Sequence, residues 1–311
     1  MHSLRKALLQ SWRANRPLTF LGLSSLALVL ACGLGLMFDH RTITGMPAWD
    51  KPAKFAVSVA LYSFTLVWIL GFVTGRWARL AHAVAWVTAA GLLIELAIIV
   101  FQAARGTTSH FNVSAPLDAG LYAVMGVVIA VVWGANFVAA LLLVFQKLAD
   151  PALAWSIRLG VALSLIGGAV GAAMVVPTPA QRLQSPPTLV GAHTVGAVDG
   201  GPGLPFLGWS TVHGDLRVPH FVGLHALQLL PLLFWLISRR AWAPRQRLAL
   251  VWTAALSYLG VIALLFWQAE RGQSVVAPDG QTLGAAGLLL VLTLLTLGLV
   301  ARRRPSSVPG R

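Results

Sequence analysis

Acidic side chains are scarce in this sequence, and charged side chains of either sign are few. Nine Asp and Glu stand against 23 Lys and Arg, and charged residues make up 10% of the 311 positions, whereas hydrophobic residues make up 57%. Soluble domains carry about 25% charged residues. The composition therefore excludes an ordinary soluble globular domain and indicates a membrane protein.

Cysteine is almost absent, because Cys32 is the single one. No disulfide can form within the chain. The apolar run that contains Cys32 continues to Phe38, which favours an uncleaved first helix over a lipoprotein signal. Arg outnumbers Lys by 19 to 4, and Ala, Leu and Val dominate, which is typical of a protein from a GC-rich bacterial genome.

Long apolar runs are what the sequence has in abundance. A membrane-spanning helix needs about 20 predominantly apolar residues. Eight segments qualify, at approximately 18–38, 54–75, 81–103, 119–145, 156–176, 220–238, 248–268 and 283–301. We therefore predict an all-α, polytopic, multi-pass membrane protein embedded in a lipid bilayer.

The net charge of +14 is distributed as in a membrane protein and not as a nucleic-acid-binding patch. Sixteen of the 23 basic residues precede the first span, follow the last one, or flank the three connections that belong to the same side. The positive-inside rule assigns this side to the cytoplasm. We predict a bacterial cytoplasmic (inner) membrane protein with both termini inside and no nucleic-acid partner.

A short sequence that occurs twice suggests that the chain contains a duplication. Residues 101–106 read Phe-Gln-Ala-Ala-Arg-Gly, and residues 267–272 read Trp-Gln-Ala-Glu-Arg-Gly, 166 positions later. A fixed offset of this kind indicates an internal repeat. We predict two parallel four-helix repeats, residues 1–150 and 151–311, related by a pseudo-two-fold axis along the membrane normal.

In this repeat Gln102 corresponds to Gln268 and Arg105 to Arg271, where the third and seventh spans meet the outer side. One interpretation is structural, because arginine favours a helix C-terminus and reaches toward lipid headgroups. In the functional hypothesis, both arginines line one vestibule that attracts anions. Glutamines at membrane depth would then serve as hydrogen-bonding partners.

Glu95 breaks the symmetry, since Val261 stands at the equivalent position of the second half. Acidic residues inside a membrane cost about 2.5–3.5 kcal/mol on insertion scales and usually face protein. His225 and Gln228 share one face of the sixth span at a comparable depth. We expect Glu95 to contact His225 or Gln228 across the repeats; the alternative is a neutral acid bonded to any neighbouring helix.

The connection 177–219 is the longest outside the spans, with seven glycines and seven prolines. Loops of this length are usually functional lids or disordered. Its glycine-rich part lacks the preceding strand and following helix of a nucleotide-binding motif. We predict an ordered lid over the outer mouth of the bundle, where a small-molecule or protein partner would bind.

Two stretches carry a resemblance to known proteins. The run Gly-Asp-Leu-Arg-Val-Pro-His-Phe-Val-Gly-Leu-His-Ala-Leu-Gln at 214–228, together with Asp-Gly-Gly-Pro at 199–202, resembles an uncharacterised family of bacterial multi-pass inner-membrane proteins of unassigned function. The four-plus-four layout is also similar to heme A synthases. That similarity implies histidine pairs on even-numbered spans, whereas here only the sixth span has a histidine at depth.

Three classes of function remain open, and whether the protein is an enzyme is left open with them. One is a non-catalytic membrane sensing or assembly component. Another is a small-solute or proton-coupled carrier, since an intramembrane acid between duplicated halves is typical of such proteins. The third is a heme- or metal-linked redox protein, in which His225 and His110, His220 or His40 would ligate a heme b. No separate metal site is indicated.

Overall fold

The computed structural model describes the backbone of residues 2–302 and the side chains of residues 5–302. In this part of the chain, eight helices are long and apolar enough to cross a membrane, so the predicted polytopic helical protein is confirmed. They are α2 (Arg16–Phe38), α3 (Asp50–Leu70), α4 (Ala78–Ala104, preceded by the 3-10 turn Gly75–Trp77), α5 (Pro116–Val144), α6 (Pro151–Met174), α8 (Arg217–Ser238), α9 (Pro244–Glu270) and α10 (Gly280–Arg302). Two further helices are α1 (His2–Ala14) and the short α7 (Pro179–Arg182).

Proline marks where several spans begin. It is the first or second residue of four of them, at Pro17, Pro116, Pro151 and Pro244. The first residues of a helix need no N–H partner, and the fixed φ of proline suits this position. Asn15 and Asp150 add side-chain caps at two of these starts. These four helices therefore begin two to five residues before the predicted apolar windows.

The helices of the two halves pack in the same pattern. In the first half α2 contacts α3 and α4, and α4 contacts α3 and α5. In the second half α6 contacts α8 and α9, and α9 contacts α8 and α10. At the 166-residue offset, Ala78–Ala104 corresponds end to end with Pro244–Glu270. Helices α5 and α6 pack together and join the halves.

The closest helix contact, between α6 and α8, depends on glycine. A Cβ at Gly167 would lie 2.4 Å from the carbonyl carbon of Gly223, closer than any real contact. Small residues of this kind let helix backbones approach in a membrane. This contact fixes the start of α8, on which the site described below depends.

A side chain at this crossing is expected to force the two helices apart. Gly167→Val should lower stability by about 1–3 kcal/mol, as overpacking does elsewhere. The thermal melting midpoint in detergent measures this loss. Gly126→Val is the matched control, since a Cβ at Gly126 meets no atom within 4 Å. Equal midpoints of the two variants would contradict the tight crossing.

One end of the bundle, here called the loop face, carries four connections that together form the cap: residues 39–49, 105–115, 175–216 and 271–279. Two short antiparallel pairs organise it, β1 (Thr42–Ile43) with β2 (Met46–Pro47) and β3 (Thr194–Val195) with β4 (Gly214–Asp215). The long connection is folded against the others, as when Val113 N donates to Thr188 O and Ser274 Oγ donates to Ser210 O, each near 2.9 Å.

The opposite end, here called the terminal face, carries α1 and the three short connections. Thr74 N donates to the side chain of Gln146 at 3.2 Å, and Arg247 forms an ion pair with Asp150 at 3.2 Å. Gln246 Nε2 donates a hydrogen bond to Val300 O at 3.1 Å. Eight spans thus leave both ends of the described chain at one face.

Candidate functional site

Under the cap, four side chains form what we call the imidazole cluster: Lys51, His110, His193 and His220. They come from the first turn of α3, from two cap segments and from the start of α8. Lys51 lies 3.1 Å from His110, the ring of Phe111 beside His110 lies 4.8 Å from that of His193, and His220 is close enough to interact electrostatically with His110, although the four are far apart in sequence.

His110 is the centre of this cluster. Its Nδ1 lies 3.1 Å from Lys51 Nζ and 3.0 Å from Ser109 Oγ. An ammonium group only donates, so Nδ1 accepts and Nε2 carries the proton. Burial and the charge of Lys51 hold the pKa of His110 well below its ordinary value, which agrees with this neutral tautomer.

His193 is held by the Asp199 turn of the cap. Its Nδ1 lies 2.6 Å from Asp199 Oδ2, and the backbone N–H groups of His193 and Thr194 donate to the same carboxylate at 2.9–3.1 Å. Burial lowers the pKa of His193, and the aspartate only partly offsets this. Burial raises the pKa of Asp199, but the hydrogen bonds from His193 outweigh it and leave that pKa below its ordinary value.

His220 points at the helix crossing. Its Nδ1 lies 2.8 Å from the carbonyl oxygen of Gly167, so Nδ1 donates and Nε2 remains an acceptor. The glycine contact between α6 and α8 exposes this carbonyl to the imidazole. The backbone crossing thus sets the tautomer of a cluster residue.

Lys51 differs from the cations around it. Lys54 forms an ion pair with Asp50 at 2.6 Å, and Arg217 binds both oxygens of Asp215 at 2.6–2.9 Å. No carboxylate among residues 5–302 forms an ion pair with Lys51, although Asp199 and Glu95 attract it from further away. Within the described residues, the charge of Lys51 is therefore not neutralised by a carboxylate in direct contact, and its hydrogen bond goes to His110.

Glu95 lies below the cluster in α4 and is 5% exposed. Thr88 and Gln102, on the same helix face, are fully buried, so this face of α4 points into the bundle. Glu95 makes no hydrogen bond with any described residue, and its buried Oε1 has no partner. Lys51 supplies the positive charge that acts on it.

The expected contact of Glu95 with His225 or Gln228 is wrong. Gln228 Nε2 donates to Thr65 Oγ1 at 3.3 Å, and its Oε1 lies 3.3 Å from His225 Nδ1. Thr65 belongs to α3, so the polar residues of α8 have their partner there. Helical spacing indicates which residues share a face but not which helix lies opposite, and Gln228 meets α3 and not α4.

The paired glutamines and arginines serve each half separately. Arg105 forms an ion pair with Asp118 at 2.6 Å, and Gln102 donates to the same oxygen at 2.8 Å. These residues connect the end of α4 to the first turn of α5.

In the second half Arg271 forms an ion pair with Asp279, the residue before α10, and Gln268 donates to Ser274 O at 2.8 Å. The hydrogen bond from Arg271 lowers the pKa of Asp279. Each arginine is neutralised by an acid of its own half, which differs from the single arginine-lined vestibule of the functional hypothesis.

The arrangement of the histidines gives little support for a bound cofactor. Within the described residues no group of three or more His, Cys, Asp or Glu side chains could hold a metal ion. His110 and His220 lie in the cluster, His225 belongs to the separate network with Gln228, and His40 is exposed. The histidines proposed as a heme pair are therefore not brought together as one set.

Sequence reasoning missed two members of the cluster, Lys51 and His193. It also missed that His193 pairs with Asp199. The offset of 166 residues places Lys51 opposite Arg217, and this signal could have identified Lys51. No comparable signal exists for His193, which depends on how the cap folds.

Comparison with known proteins identifies no relative of this chain. No family model matches the chain, and no curated protein or solved structure is significantly similar to it.

Proposed function

We propose that this protein is a multi-pass bacterial inner-membrane protein that binds a small solute at the loop face and couples this to proton movement. The observation that carries the proposal is the Lys51–His110 hydrogen bond above the buried carboxylate of Glu95. It favours a proton-coupled carrier among the classes open from sequence.

The proton path would run between Glu95 and the cap. His110 carries a proton on Nε2 and accepts from Lys51 on Nδ1, so it can receive a proton on one nitrogen and release one from the other. Lys51, once deprotonated, can take a proton from Glu95. Lys51 and Glu95 are not in direct contact, so water or a small polar solute would bridge them.

The site would lie between two four-helix repeats. The shared pattern of helix neighbours, the correspondence of α4 with α9 and the matched ion pairs Arg105–Asp118 and Arg271–Asp279 support a duplication. At the repeat offset Lys51 corresponds to Arg217, and their charges act on each other. The cluster thus lies where equivalent parts of the halves meet.

The orientation follows from charge. Of the basic residues predicted to be cytoplasmic, Arg303, Arg304 and Arg311 lie outside the described residues. The others lie at the terminal face, where Arg158 and Arg247 bind the connection 145–150. The positive-inside rule then places the cap outside.

The test is proton uptake into proteoliposomes after an imposed pH gradient, followed with an internal pH dye. Glu95→Gln is expected to reduce the initial rate at least tenfold relative to the wild type, because the amide cannot take up or release a proton. Glu270→Gln is the matched control: it changes the one other glutamate of the chain, which is exposed at the end of α9. A rate that is unchanged in Glu95→Gln, or no faster in the wild type than in empty vesicles, rejects the proposal.

A heme-linked redox protein remains the second candidate. His220 donates from Nδ1 to a backbone carbonyl, which leaves Nε2 available, as in many ligating histidines. A visible spectrum of the purified protein decides it, since a Soret band that is lost in His220→Ala would favour heme.

A further inference from the structure

A polar pair lies in the lipid-facing stripe of α8. Phe221, His225, Gln228, Leu232 and Trp235 follow at intervals of four and three residues and so share one helix face. Phe221, Leu232 and Trp235 are 39%, 50% and 46% exposed, as side chains facing acyl chains are. His225 and Gln228 are partly exposed in the same stripe. Polar side chains at membrane depth are costly and usually mark function.

The hydrogen bonds of this pair fix the protonation of His225. Thr65 Oγ1 donates to Leu61 O at 2.7 Å, so it can only accept from Gln228. Gln228 must therefore donate through Nε2 and present its Oε1 to His225. His225 Nδ1, 3.3 Å from Oε1, then carries the proton. His225 Nε2 is left as an unprotonated acceptor with no partner among the described residues.

Aromatic rings lead from this acceptor toward the cap. The ring of Phe221 lies 4.3 Å from that of His225 at an interplanar angle of 61°, and the ring of Trp209 lies 5.6 Å from Phe221. His225 is eight residues from the start of α8, about 12 Å below it at 1.5 Å per residue. This lipid-facing side of α8 therefore offers a ring surface and one hydrogen-bond acceptor to molecules dissolved in the membrane.

We propose that this side of α8 binds a membrane-soluble hydroquinone, whose ring hydroxyl donates to His225 Nε2 while its ring packs against Phe221. Three observations select this class: the acceptor requires an O–H donor, the aromatic row favours a ring, and the partial exposure of the pair requires arrival from the lipid phase. The inference is independent of the proton path through Glu95, which lies on another helix.

Binding of tetramethylhydroquinone to the protein in nanodiscs, measured by anaerobic calorimetry, tests the proposal. We expect it to bind at least tenfold more tightly than tetramethylquinone, which has no O–H donor. His225→Phe keeps an aromatic ring without the acceptor and should remove this preference, whereas His40→Phe should preserve it. Equal affinities in the wild type, no binding, or an unchanged preference in His225→Phe would overturn the proposal.

The tautomer provides a second readout that needs no ligand. In the nitrogen NMR spectrum of histidine-labelled protein, we expect His225 to be protonated on Nδ1. Gln228→Met removes the acceptor that holds this proton, so the preference for the hydroquinone should fall to no more than twofold. Protonation of Nε2 in the wild type, or a full preference in Gln228→Met, contradicts the proposal even where His225→Phe does not fold. Decanol should bind less tightly; equal affinity would contradict the ring contact.

Discussion

Arg217→Met is expected to destabilise the protein by about 3–5 kcal/mol, the usual cost of leaving one charge of a buried pair unpaired. Asp215 is 2% exposed, and Arg217 binds both of its oxygens and also Gly208 O. Without the guanidinium, the carboxylate would remain under the cap with only backbone donors from Ser210 and position 217. The melting midpoint and the yield of monodisperse protein measure the loss.

The chain provides a matched control for this substitution. Arg41 binds Asp39 through the same atoms at the same distances, but its side chain is 49% exposed. Arg41→Met should therefore cost at most about 1 kcal/mol. The double variant Asp215→Asn with Arg217→Met should recover much of the lost stability. Equal losses in the two single variants would show that burial of the Asp215 pair is not what matters.

Acidification from pH 7.5 to 5 is expected to destabilise the cap by up to about 4 kcal/mol. His110 and His193 have pKa values below the ordinary 6.5 in the folded protein, so below pH 6.5 the unfolded chain binds more protons than the folded one. Stability therefore rises with pH in this window and is lost as pH falls. Each imidazole contributes at most about 2 kcal/mol over 1.5 pH units.

The melting midpoint as a function of pH tests this sign and its origin. His110→Gln should remove about half of the pH dependence, because glutamine does not titrate, whereas His40→Gln changes an exposed side chain and should retain all of it. Asp199 cannot produce the effect, since its lowered pKa acts below its ordinary value of 3.8. A midpoint that is flat from pH 7.5 to 5, or that rises on acidification, contradicts the buried neutral histidines.

The sequence predicts the features that a single helix determines by itself, such as its position and its buried face. Apolar length identifies the eight spans, and the rule that an acid inside a span usually faces protein is met by Glu95, which is buried. The helix starts are less accurate, because Pro151 and the cap Asp150 lie outside any apolar window although they open α6.

The sequence does not predict contacts that depend on two elements at once. The acids that neutralise Arg105 and Arg271 lie 13 and 8 residues further on, and nothing in the pattern selects Asp118 or Asp279 over other acids. Lys51 at the start of a span also fits an ordinary interfacial lysine. It becomes part of a site only because the cap brings His110 to it, and that requires the folded arrangement of residues 105–115.

The way in which the cap is connected has a consequence for biogenesis. Val113 is bound to Thr188, and Ser210 to Ser274, so the cap closes with a segment that follows the seventh span. A ribosome-bound chain that has inserted only its first four spans has Lys51 and His110 but neither His193 nor His220. The imidazole cluster can therefore be completed only after α8 has been synthesised, and the cap only after the connection that follows the seventh span, so nascent chains interrupted before that point would carry an incomplete cap.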